Sequence, residues 1–105
     1  MPVNTPKCKI TVLKRTVNQD IADQYLEASG SWGACEQFRE GQEIIVEHPY
    51  QPPEGFCTWA WADIRHDISA IMAGADFPWI KQRGVVIAGC TDWFRPVIFK
   101  IERIG

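Results

Sequence analysis

At 105 residues, 46% of them hydrophobic and 23% charged, the chain has room for one domain, residues 1–105, with a core of its own. A formal net charge of -2, with Lys and Arg scattered rather than blocked, argues against nucleic acid or an anionic membrane as partner. No apolar run approaches the ~20 residues that a membrane helix needs, and Met1-Pro2-Val3-Asn4-Thr5-Pro6 lacks the parts of a secretory signal, so the expected compartment is the cytoplasm.

Residues 1–6 carry two prolines and no pattern, and read as a loose lead-in. From Cys8 the chain alternates, with Cys8, Ile10 and Val12 on one face and Lys7, Lys9, Thr11 and Arg15 on the other. Leu13 is the exception in what is otherwise a half-buried strand. Asn18 is placed to cap a short helix through Asp20, Ile21, Ala22, Tyr25 and Leu26 that ends near Gly30. The run Ser29-Gly30-Ser31-Trp32-Gly33-Ala34-Cys35 is loop chemistry. Phe38 and the turn Glu40-Gly41-Gln42 then lead into a second strand, Glu43 to Glu47, with Ile44 and Val46 facing one way.

Between His48 and Gly55, three prolines forbid helix and most sheet pairing. This connector delivers Phe56 and Cys57 to a second helix with Thr58 as its expected N-cap. There Trp61, Ile64, Ile68, Ile71 and Met72 draw one apolar stripe, and Ala73-Gly74 closes the helix. Phe77-Pro78-Trp79-Ile80 is an apolar loop expected to fold back over the core. Val85-Val86-Ile87-Ala88 reads as a short strand buried on both faces. The last strand, Arg95 to Ile104, turns Val97, Phe99 and Ile101 one way and Ile98, Lys100 and Glu102 the other, and is expected to pair with the strand before it. The order β-α-β-α-β-β predicts an α+β fold: a mainly antiparallel sheet of about four strands with two helices packed on it.

The residues with chemistry in them are mainly the four cysteines, 8, 35, 57 and 90, which include no Cys-x-x-Cys pair and are expected to be reduced. Cys57 falls at a helix N-terminus, where unpartnered N–H groups and the helix dipole favour a thiolate, and it is the best single candidate for chemistry. Cys35 precedes a strand region and Cys90 follows a strand, so three thiols stand at element ends. Ligands to a zinc ion or an iron–sulfur cluster must leave the regular ladders in this way, with Cys8 as a fourth member of the set. The packing alternative stands beside it, since free Cys is among the most buried residue types and behaves as a small hydrophobe.

Other candidates are weaker. Asp63 and His66, three apart on one helix face, would make an oriented base or a hard-metal pair, or simply a solvated charged face. Asp92, two residues after Cys90, would be a catalytic carboxylate, or would accept backbone N–H groups or pair with Arg95. Trp32, Trp79 and Trp93 would line an aromatic pocket for a planar ligand or form a homodimer face, the competing reading in which the thiols only pack.

Lys7-Cys8-Lys9-Ile10-Thr11-Val12-Leu13, Gly55-Phe56-Cys57 followed by Ala60 and Asp63-Ile64, Cys90-x-Asp92, and Arg95-Pro96-Val97-x-Phe99 together resemble a family of small uncharacterised proteins of anaerobic bacteria and archaea. The resemblance runs from residue 7 to the end and implies that Cys35, Cys57 and Cys90 are the recurrent cysteines of that family. An anaerobic setting would tolerate an oxygen-labile cluster. Where the family often has Gly after Cys-x-Asp, this chain has Trp93.

Overall fold

The alternation that begins at Cys8 makes β1 (Lys7–Arg15), with Cys8, Ile10 and Val12 all but fully buried. The computed structural model describes residues 7–27 and 33–105, and within them α1 (Gln19–Tyr25), β2 (Glu43–Val46), α2 (Thr58–Met72), β3 (Val85–Gly89) and β4 (Val97–Ile104) follow in the expected order. The four strands form one antiparallel sheet in the order β2-β1-β4-β3, an α+β fold. No described helix is long and apolar enough to cross a membrane.

Leu13 breaks the alternation because the β1–β4 register shifts there, between Val12 and Lys14. A bulge adds one residue and reverses the parity of everything after it. Arg15 was expected on the open face; instead it pairs with Val97, a core residue, and so lies on the covered side of the sheet. Its guanidinium donates to the carbonyls of Cys35 at 2.8 Å and Phe38 at 3.0 Å, which ties the 35–40 segment to the end of β1.

The covered face is roofed by α2. Its stripe of Trp61, Ile64, Ile68, Ile71 and Met72 is buried as the spacing requires, with Ala60 beside it, and meets Val97, Phe99 and Ile101 of β4 and Ile10 and Val12 of β1 in one core. The helix has no basic residue in its last turn, so its C-terminal carbonyls are served from elsewhere. Arg103 of β4 donates to Ile71 O at 2.7 Å and Ala75 O at 3.0 Å, and reaches Asp76 at 3.0 Å. Asp76 also accepts the Gly84 N–H at 2.6 Å, and the Arg103 hydrogen bond followed by this one holds its carboxyl below the usual value.

Four local expectations change. The N-cap of α2 is Cys57 and not Thr58, so the helix begins one residue earlier than the side-chain chemistry suggested. Asn18 does occupy the N-cap of α1, but its side chain donates to Trp93 O at 2.6 Å instead of serving the helix. β3 is an edge strand: Val85 and Val86 are buried, while Ile87, on the side of the sheet away from α2, is exposed. In the 77–80 loop Phe77 packs on the core as expected, whereas Trp79 stands in solvent. The end of α1 near Gly30 lies outside the described residues.

Ile68, fully buried at the middle of the stripe, is the sharpest test of this packing. Ile68→Ala is expected to lower unfolding free energy by about 2–5 kcal/mol. The same change at half-exposed Ile98, on the open face, is expected to cost under about 1 kcal/mol, both read from denaturant midpoints.

Candidate functional site

The connector reaches α2 through a tight turn. Phe56 N–H donates to Pro53 O at 3.1 Å, and Gly55 takes a φ of 77°, the left-handed position of a type II turn. The turn sets Phe56 edge-on to Phe38, with ring centres 5.2 Å apart, and Phe38 in turn lies edge-on to Phe99 at 5.1 Å. Cys57 follows at the head of α2, half-buried, and makes no side-chain capping bond.

Cys35 and Cys90 are also half-buried, and all three pack against the same core. Cys90 closes the β3–β4 connection: its N–H donates to Val97 O at 3.1 Å and its Sγ accepts the Val97 N–H at 3.4 Å. Its sulfur therefore takes the place of a carbonyl acceptor at the end of the ladder. Cys8 differs from the rest. It is fully buried on β1, and burial pushes its thiol up to about 12. All four cysteines are free, and among the described residues no group of three or more His, Cys, Asp or Glu side chains is arranged to hold a metal ion.

Asp63 and His66 have different neighbours. Asp63 Oδ2 accepts the Thr91 N–H at 2.7 Å and the Thr91 hydroxyl at 2.9 Å, and Trp59 Nε1–H donates to the same hydroxyl oxygen at 2.9 Å. Sequence reasoning missed this three-residue joint between α2 and the end of β3, because no motif links positions 59, 63 and 91. His66 is exposed, 3.5 Å from Asp67, and borders a surface hollow of about 370 Å³ with Tyr50, Trp61 and Arg65. Asp92 takes the structural role: its Oδ1 accepts the N–H groups of Phe94 and Arg95, each at 3.1 Å, which holds the turn into β4.

Of the indoles expected to gather, Trp32 lies outside the described residues. Trp79 lies against Phe77 with ring centres 5.2 Å apart and planes tilted by 47°, in the loop before β3, and Trp93 belongs to the connection after it. Among the described residues the rings of Trp79 and Trp93 make no contact with each other. Both are largely exposed, and so is Trp59. Comparison with protein-family models, with curated proteins and with solved structures returns no match to the chain.

The Cys8 thiol carries a pH signature. Its ordinary value of 9.0 applies to the unfolded chain and about 12 to the folded one, so the unfolded state loses its proton first as pH rises. Between those values the folded state binds more protons, and stability falls with pH by up to about 1.4 kcal/mol per unit. Cys8→Ala is expected to remove that part of the alkaline loss in pH-dependent denaturant titrations. In alkylation followed by peptide mass mapping, Cys8 is expected to stay unlabelled until the chain unfolds.

Proposed function

We propose that the protein is a non-enzymatic, subunit-like binding module of the cytoplasm that works within an assembly, its cysteines serving as packing residues. The observation that carries this reading is the surplus of large aromatic surface. Trp59, Trp79 and Trp93 are 64%, 72% and 68% exposed, although the core already holds Phe38, Trp61 and Phe99. Holding three indoles in water forgoes the burial each would gain in a core, and Trp is the residue type most enriched among the side chains that dominate protein interfaces. Cys8 supports the packing role of the thiols, since it is fully buried and hard to ionise.

Sedimentation velocity and tryptophan emission across a dilution series test the reading. Association is expected, with emission moving to the red and iodide quenching rising as the assembly dissociates. Monomer at every concentration, with unchanging quenching, removes it.

A second reading is favoured by one specific arrangement: Cys57 caps α2, Cys90 directly follows β3, and both of them, like Cys35 in the connection before β2, pack on the same core. In that reading the thiols bind zinc or an iron–sulfur centre, or carry redox chemistry. Anaerobic purification with metal analysis and a visible spectrum is then expected to show stoichiometric metal that Cys57→Ala loses. Colourless, metal-free protein that behaves as Cys57→Ala does leaves the first reading alone.

A further inference from the structure

The sheet has two edges, and they are unlike. In the β3–β4 ladder Arg103 N–H donates to Gly84 O and Cys90 N–H to Val97 O, so residues 84, 86, 88 and 90 face β4 with their backbone groups. The N–H and C=O groups of Val85, Ile87 and Gly89 therefore point away from the sheet, by the alternation of an antiparallel pair. Val85 is only 7% exposed, so its end of the edge is shielded; Ile87, at 47%, begins the open part. Strand β3 carries no charge, no proline and no bulge, which are the devices that protect a free edge.

At the opposite edge, Val12 N–H donates to Gln42 O, and the same alternation turns the backbone groups of Glu43 and Ile45 outward, with Glu47 next in line. An antiparallel copy laid along that edge about Ile45 would set Glu43 against Glu47 of the other chain. Like charges so placed repel.

The geometry points to a homodimer in which β3 pairs antiparallel with β3 of a second copy about a two-fold axis at Ala88, so that one continuous eight-stranded sheet is formed. This rests on the binding-module reading and names its partner. In that register Ile87 lies opposite Gly89 of the other chain and Gly89 opposite its Ile87. All the unshielded outward N–H and C=O groups are then matched, and each Ile87 side chain covers a residue that has none of its own.

Charge selects this orientation. Basic Lys81 and Arg83 precede β3, and the Arg83 side chain is 91% exposed even with Asp76 3.6 Å away. Beyond the far end stand the carboxylates of Asp63, fixed to Thr91, and of Asp92, whose Oδ2 lies 3.7 Å from Arg95, together with the exposed rings of Trp59 and Trp93. Antiparallel pairing brings the basic end of one strand to the acidic, aromatic end of the other, where guanidinium meets both carboxylate and indole. Parallel pairing would set like against like. A second copy supplies both the matching strand and the matching charges.

Sedimentation velocity on the intact chain tests this with three variants, each checked for an unchanged circular dichroism spectrum and melting midpoint. Ile87→Lys is expected to raise the dimer dissociation constant by about 30-fold or more, as for loss of a central interface residue. Arg83→Glu, remote from the ladder, is expected to raise it by about three- to tenfold with a weaker salt dependence. Ile45→Lys, on the other edge, is expected to leave it unchanged. In the parent, amide hydrogen exchange at Ile87 and Gly89 is expected to slow as concentration rises, a readout that requires no variant. A dimer that survives Ile87→Lys and Arg83→Glu with those amides unprotected overturns the β3 pairing and leaves the binding module standing. A parent that is monomeric at every concentration overturns both.

Discussion

The structure depends on one burial: the stripe of α2 against the covered face of β1, β4 and β3. Ile64, Ile68 and Ile71 have no exposed surface, and neither do Val97, Phe99 and Ile101, which face them from the strand next to the centre of the sheet. A four-stranded sheet with one helix across it is a two-layer solution, so the face away from the helix stays in contact with water. There the ion pairs Lys9–Glu43 at 3.0 Å and Lys100–Glu102 at 3.4 Å stand among exposed isoleucines. The helix α1 contributes little to this core, burying Ala22 alone.

Two arginines hold what the core does not reach. Arg15, turned to the covered side by the bulge at Leu13, gathers the carbonyls of the 35–40 segment. Arg103 gathers those at the end of α2 and carries Asp76 with it. Each serves backbone acceptors left over by a loop or a helix end, where a charged donor forms a stronger bond than a neutral one. The loop that bears Cys35 and the turn that precedes β3 are thereby anchored to the central strands, one at each end.

The chemistry-bearing residues divide along the same lines. Asp92 and Asp63 spend their oxygens on backbone and hydroxyl donors, Cys90 accepts from the ladder, and Cys8 lies within the core. Much of what remains at the surface is apolar: the exposed rings of Trp59, Trp79 and Trp93, and Ile87 on the outer side of β3.

Sequence alone determined the elements and their inward faces, because alternation at a period of two in β1 and β4 and spacings of three and four in α2 are local properties written by burial. It also placed Cys57 and Cys90 at element ends, though not Cys35, which lies within the connection before β2, and it anticipated Asp92 as a turn acceptor, since an aspartate bonds to N–H groups two and three residues ahead. Only the tertiary structure decided that Arg15 would change sides, that Arg103 would serve a helix 32 residues earlier, and that Asp63 would meet Thr91 rather than His66. The same holds for β3, whose apolar run suits a buried centre as well as an open edge. Such outcomes depend on strand order and on which long side chain reaches which unpaired group. Neither leaves a periodic trace along the chain.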